Sequence, residues 1–241
     1  MKNKFLTFSY DDGVVQDRRL IALLDKYGLK ATFNISSGWL GKTHHFLWKG
    51  EEFTHQKVNR EEVAELYRNH EVAAHTLTHP KLPLLSDEEI LFQVEQDRKD
   101  LSGLVGYEVV GMAYPGATNN HDERTEGIIR AHTRIRYCRT VDDCHSFAIP
   151  DNLYEIRPTV HHLAPDVLQL CEQFVQMKAE KPQLLYIWGH SYELDLEDKW
   201  EQVEELFKLL SGHDDIVYGT NSAVFEELGN LVKDKSYTEF R

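Results

Sequence analysis

The sequence predicts an α/β protein whose parallel strands close, or nearly close, into a barrel covered by helices. Three observations carry this. About eight short apolar runs alternate with amphipathic helical stretches along the 241 residues, a pattern that implies parallel strands with helices packed over them. The expected strands end on polar, chemistry-bearing residues: Asp11 and Asp12, Asn34, His75, Tyr114, Thr140, Thr159 with His161, and His190. Such ends meet at one face of a barrel, whereas an open sheet gives the same local pattern but cannot bring so many of them together. No low-complexity linker or internal repeat interrupts the chain, so residues 1–241 read as a single domain of a size that barrels commonly reach as one unit.

Phe5–Tyr10 reads as the first strand. Asp17–Tyr27 follows as a helix, with Leu20, Ile21, Leu23 and Leu24 at helical spacing and Gly28 as its stop. Ala31–Ile35 is the second strand, and Arg60–Asn69 the next helix, with Val63, Leu66 and Tyr67 on one side. Between them, Ser36–Asn59 reads as a long connection carrying Trp39, Trp48, His44, His45 and His55. Connections of that length are often functional, and its aromatics suit the wall of a sugar site. Glu71–His75 is a short buried strand, and Ser86 with Glu89 makes a capping box for a helix to about Gly103. Strands are then expected at Val109–Tyr114, Ile135–Thr140, Tyr154–Thr159, Leu184–Gly189 and Ile216–Thr220. Helices are expected at Asp122–Ala131, Pro165–Lys178, Glu197–Leu210 and Ser222–Lys233.

Composition narrows the function classes. Hydrophobic residues at 41% and charged residues at 28% fit an ordinary soluble domain. A net charge of -13 argues against a nucleic-acid partner, since affinity for phosphate backbones comes mainly from Lys and Arg. Cys138, Cys144 and Cys171 form no C-x-x-C pair and leave an odd count, which points to a reducing compartment. The basic start, Met1 to Lys4, is followed by an apolar stretch that breaks at Ser9, too early for a secretory leader, so a cytoplasmic location is expected. No run of about 18 apolar residues is present, so no membrane-spanning helix is expected. The oligomeric state is not legible.

The chemistry sits in two stretches, Ser9-Tyr10-Asp11-Asp12-Gly13 and His75-Thr76-Leu77-Thr78-His79-Pro80. Two imidazoles and a carboxylate make a catalytic zinc set with one position left open, and a second carboxylate is to spare. The two histidines are not those of a zinc-protease helix, because the residues between them are Thr-Leu-Thr and Pro80 follows at once. A strand end at His75 and a turn at His79 fit better.

With Ile187-Trp188-Gly189-His190 added, the chain resembles the polysaccharide deacetylase family (NodB-type, carbohydrate esterase family four) from its first strand to about Glu193. The resemblance implies a distorted (β/α) barrel of seven to eight parallel strands and metal-dependent removal of N-acetyl groups from amino sugars. By position, Asp12, His75 and His79 would be metal ligands, Asp11 the general base and His190 the general acid. Zinc is the first candidate metal, with cobalt, nickel or manganese as alternatives. Tyr114, Pro115, Arg157, His161 and Trp188 are expected to bind substrate or support the site.

Two departures stand out. The family's third motif begins with an arginine that pairs with the base, and Ala113 occupies that place here. The fourth motif, an aspartate-bearing segment, has only Asp142 and Asp143 as loose counterparts. Arg157 is expected to reach Asp11 in place of the missing arginine, with Arg139 as its competitor. The reading is thus a cytoplasmic, metal-dependent deacetylase of a small N-acetylated saccharide. Its rivals are another metal-dependent ester or phosphoester hydrolase, and a catalytically silent carbohydrate-binding barrel.

Overall fold

Strand β1, Lys4–Asp11, is buried at all eight of its positions because it lies in the middle of the sheet, between two parallel neighbours. A computed structural model describes residues 2–231. In chain order the further strands are β2 (Ala31–Ile35), β3 (Thr43–Trp48), β4 (Glu51–Gln56), β5 (Glu71–Ala74), β6 (Gly111–Ala113), β7 (Tyr137–Arg139), β8 (Val160–His161), β9 (Gln183–Gly189) and β10 (Ile216–Tyr218). The helices are α1 (Asp17–Lys26), α2 (Val63–Leu66), α3 (Asp87–Val105), α4 (Glu123–His132), α5 (Val167–Gln176), α6 (Glu193–Leu196), α7 (Trp200–Leu210) and α8 (Asn221–Glu227).

Seven parallel strands run in the order β7-β6-β5-β2-β1-β9-β8, and β10 pairs with the first half of β1. The sheet curls until its edges are bridged by the segment between β7 and β8. The Cys138 amide donates to Leu153 O at 2.7 Å and the Thr140 amide to Ile156 O at 2.8 Å, while Thr159 N–H donates to Tyr186 O on β9 at 2.8 Å. The sequence expectation of a distorted barrel therefore holds. The expected strand Tyr154–Thr159 becomes this bridging strip instead, since Pro158 has no N–H for a continuous ladder, and regular pairing begins only at Val160.

Alternation along β1 sorts its side chains. Leu6, Phe8 and Tyr10 join the large outer core with Leu20, Leu24, Val203 and Phe207 from the helices. Phe5, Thr7, Ser9 and Asp11 face the barrel interior. The bottom of that interior is apolar: Phe5, Tyr137, Ile156, Leu184 and Tyr186 meet Val224 and Phe225 of α8. Above this plug lies a hydrogen-bonded layer, in which Thr7 donates to Asn221 Oδ1 at 2.8 Å and Asn221 donates to Tyr186 OH at 2.6 Å.

Three further expectations change. The connection Ser36–Asn59 contains the antiparallel hairpin β3-β4, closed at Lys49 and Gly50, both with positive φ, as a two-residue hairpin turn requires. The helix expected at Arg60–Asn69 is a 3-10 turn at Arg60–Glu62 followed by the single turn of α2. The helix expected at Glu197–Leu210 starts at Trp200, after Asp198 takes φ 51 and separates it from α6. Helix α8 ends at Glu227, short of the expected end at Lys233; residues 232 and 233 of that expectation lie outside the described residues. Among the described residues no helix is long and apolar enough to cross a membrane.

Asp17, at the start of α1, ties three elements together. Ser191 Oγ donates to it at 2.5 Å and Tyr67 OH at 2.7 Å. Burial pushes its carboxyl up to about 7, against the pull of those two hydrogen bonds. An acid whose folded pKa lies above its unfolded value contributes stability that is full below the unfolded value and is lost as pH rises through the folded one. Asp17→Asn should therefore gain stability relative to the parent between about pH 4 and about pH 8, by on the order of 1 kcal/mol or more. Urea unfolding at both ends of that window checks this, and a pH-independent difference would contradict it.

Candidate active site

The end of β1 turns sharply, with Asp12 at φ 86 and Gly13 at φ 60. A side chain at position 13 would bring a Cβ within 3.0 Å of Ile35. The turn sends neighbouring carboxylates apart: Asp11 stays in the interior register of β1, and Asp12 faces the loops. On β5 the chain behaves alike, with Thr76 at φ 65 and His79 at φ 60 after His75. Non-glycine residues rarely take this region, and such strain clusters at functional sites. Asp97 of α3 holds the loop in place, accepting from the His75 amide at 2.9 Å and from the Ser37 amide at 2.7 Å. The adjacent 3-10 turn packs so closely that a Cβ on Gly38 would lie 2.4 Å from Leu77 O.

These turns bring together residues far apart in sequence. One carboxylate oxygen of Asp12 and one ring nitrogen each of His75 and His79 lie within 4.8 Å of one another, a span that could hold a metal ion. His75 Nδ1 is 2.9 Å from Ala113 O, a contact that fixes the tautomer with the proton on Nδ1 and leaves the Nε2 lone pair free. Burial lowers the His75 pKa to about 4, so the ring is neutral, as a ligand must be. Asp12 is charged: burial opposes ionisation, but Lys57, 3.0 Å from its Oδ1, and the nearby His190 hold it well below the usual carboxylate range.

Asp11 receives the arginine that position 113 lacks, but not from Arg157. Arg139 Nη2 donates to both Asp11 oxygens, and both side chains are buried. Asn34 Nδ2 donates to Asp11 Oδ1 at 2.8 Å and to Ser9 at 2.8 Å. Arg139 sits directly beside Ala113 in the parallel register of β6 and β7, so the guanidinium enters from the next strand over. Its Cζ lies 4.7 Å from the ring centre of Trp188. Arg157 instead alternates outward from buried Ile156; it is exposed and reaches only Asp143 O at 3.4 Å. Burial raises the Asp11 pKa, yet the Arg139 guanidinium outweighs it and holds the carboxyl below its ordinary value.

His190 Nε2 lies 3.9 Å from Asp11 Oδ2, and its Nδ1 lies 3.2 Å from Glu193 Oε1. Burial disfavours charge on this imidazole, but Glu193, Asp11 and Asp12 prevail and raise its pKa to about 9. Glu193 also accepts on Oε2 from His161 and His162, each at 3.0 Å, and from the His190 amide at 3.0 Å. Gly189 leaves the space His162 needs, since a Cβ there would lie 2.2 Å from the imidazole. His161, His190 and Glu193 form a second group with ligand atoms within 4.8 Å of one another, in which Glu193 is shared between the imidazoles. Asp143, the loose fourth-motif counterpart, is engaged elsewhere: it accepts from Trp188 Nε1 at 2.7 Å and from the His161 amide at 2.8 Å.

Tyr114 and Pro115 are buried. The Tyr114 hydroxyl donates to Tyr154 O at 2.9 Å and its ring stacks on His121, so it supports the strand ends rather than facing a ligand. Residues that the sequence reading passed over are Glu193, Lys57 and Asp97. The i to i+3 spacing of His190 and Glu193 was a usable signal for the first; the other two are placed by tertiary contacts alone.

Comparison with known proteins bears on the family and the fold. A family model described as polysaccharide deacetylase matches residues 1–132. The fold is similar to the Xyl-CE4 domain of a multidomain xylanase from the hindgut metagenome of Trinervitermes trinervoides, at 17% identity and TM-score 0.58, covering 98% of this chain and 95% of that one. It is also similar to the peptidoglycan deacetylase PdaC of Bacillus subtilis, at 15% identity and TM-score 0.58, covering 94% and 92%. A CE4 family pseudoenzyme from Bacillus anthracis is similar at 18% identity and TM-score 0.54, covering 94% and 67%. At these identities the likeness is one of fold. A search of the curated proteins finds no match. Because the family model covers more than half of its length, the chain belongs to the polysaccharide deacetylase family.

Proposed function

We propose that the protein is a metal-dependent hydrolase that removes the N-acetyl group from an amino sugar or short oligosaccharide, with a divalent ion held by Asp12, His75 and His79. The observation that carries this reading is the convergence, at one barrel mouth, of that donor set with a buried ionised carboxylate and a protonated imidazole. The donors fit the ion: two imidazoles, one with its tautomer fixed by Ala113 O, and one carboxylate suit zinc first among the divalent metals. Such an ion acidifies the attacking water and polarises the acyl oxygen.

The remaining work falls to the chain. Asp11, kept ionised by Arg139 and pinned by Asn34, accepts the proton of the water. His190, whose pKa is raised to about 9, carries a proton at neutral pH and delivers it from Nε2 to the departing nitrogen, which would otherwise leave as an unstable amide anion. Glu193 holds the far side of the same ring. Arg139 beside Asp11 supports an enzyme over the silent binding barrel that Ala113 had suggested.

Acetate release from N-acetylated sugars and oligomers, measured beside release from aryl esters and phosphate esters, tests the reaction class. Acetate from the amide substrates, with zinc in the purified protein and none in His75→Ala/His79→Ala, is the expected outcome. Preferred cleavage of the phosphate esters, or metal retained by the double variant, contradicts it.

The two flanking charges should shift opposite limbs of the pH profile of kcat/KM. Arg139→Met removes the cation that depresses the Asp11 pKa, so the acidic limb should move up. Glu193→Gln removes the anion that raises the His190 pKa, so the basic limb should move down. Metal content should stay that of the parent in both variants. Limbs that do not move, in variants that fold and bind metal, would remove Asp11 and His190 from these roles.

A further inference from the structure

Lys57 lies outside every motif of the site, and the backbone fixes it there. It pairs antiparallel with Val14, the second residue after Asp12. The Val58 amide donates to Gly13 O at 2.9 Å, the Val15 amide to Gln56 O at 3.0 Å, and the Lys57 amide to Lys42 O at 3.0 Å. The hairpin β3-β4 thus returns its own end alongside the turn that carries Asp12. The Lys57 side chain is only 5% exposed, with Nζ 3.0 Å from Asp12 Oδ1. His55 completes the group, with Nε2 3.7 Å from Asp12 Oδ2 and 3.5 Å from Lys57 Nζ.

We propose that Lys57 is a built-in counter-ion of the metal site: it fixes the orientation of the Asp12 carboxylate and lowers the affinity of the site for a divalent cation. This rests on reading Asp12, His75 and His79 as the ligands. A buried ammonium separated from its carboxylate would be stranded as an unpaired charge, so an incoming ion would have to share the Asp12 carboxylate with Lys57.

Two opposing effects follow. Orienting a ligand from behind is typically worth about 10- to 100-fold in metal affinity. Against this stands direct repulsion between the ammonium and a doubly charged ion across a single carboxylate. Nearby negative charge does little to offset that repulsion, because Arg139 already neutralises Asp11. Both carboxylates of the site are therefore matched by buried cations before any ion arrives. The repulsion prevails, and the site is one that gains and releases its ion rather than sequestering it.

Zinc affinity by competition with a chromophoric chelator, together with the thermal shift that zinc produces, tests this in the parent, Lys57→Met, Lys57→Arg and His75→Ala/His79→Ala. Relieved of the ammonium's repulsion, Lys57→Met should bind zinc at least about tenfold more tightly. It should also melt lower than the parent without metal and show the larger zinc-induced shift. Lys57→Arg, which keeps the charge, should keep the parent's affinity. Lys57→Gln, which retains a donor toward Oδ1, replaces the methionine variant if that one does not fold. Equal or weaker zinc binding once the charge is removed, with binding still abolished in the double histidine variant, overturns the role of Lys57 alone. Parental zinc binding by the double histidine variant overturns the ligand assignment, and this inference with it.

Discussion

Two consecutive carboxylates are buried at the end of the central strand, and the protein must keep both charged. An unpaired buried charge costs several kcal/mol, so each needs a partner at contact distance. The turn at Asp12 and Gly13 is the device that makes this possible. It points the two side chains in different directions, so that their cations can arrive from opposite sides. Arg139 comes through the barrel interior from β7, and Lys57 comes over the rim from the end of the hairpin. Much of the barrel mouth can be read as a consequence of this arrangement. Ala113 is small beside Arg139, Trp188 covers the guanidinium, and residues 56–58 are bonded to residues 13–15 so that Lys57 cannot drift.

The lower half of the barrel solves a different problem. Its interior is filled by an apolar plug from α8 and by hydrogen-bonded layers that link Thr7, Ser9, Asn34 and Asn221. A buried polar network rigidifies a core only when its members are paired. Here it forms the floor beneath Asp11, and Asn34 belongs to both floor and site. The Asp11 carboxylate is therefore held by packing that extends through the barrel and not only by its arginine.

Much of this was legible in the sequence. The strand-helix alternation gave the barrel, and the two short motifs with His190 indicated which residues meet at its mouth. What failed to show has physical causes. Hairpin β3-β4 closes on Lys49-Gly50 instead of the Asn-Gly or Asp-Gly that marks such turns, and its alternation is blurred because Leu47 and Trp48 are exposed. The strip at residues 154–159 read as a strand, but Pro158 and its position between two sheet edges prevent a ladder. Lys57 and Asp97 reach the site through backbone geometry that no local spacing encodes.

The arginine is the most instructive case. Sequence position suggested Arg157 because it lies near a strand end, but the side-chain period of two turns that residue outward while neighbouring Ile156 turns in. Arg139 is the residue in register with Ala113. Neighbouring parallel strands present equivalent positions less than 5 Å apart in the hydrogen-bonding direction, roughly the spacing between strands, and an arginine side chain can span that offset. A cation can therefore move one strand along a barrel mouth and still reach the same carboxylate. The sequence then shows a broken motif, while the carboxylate keeps its paired cation. In a barrel of this kind, the absence of a motif residue is evidence of lost function only after the adjacent register positions have been inspected for a residue that supplies the same charge.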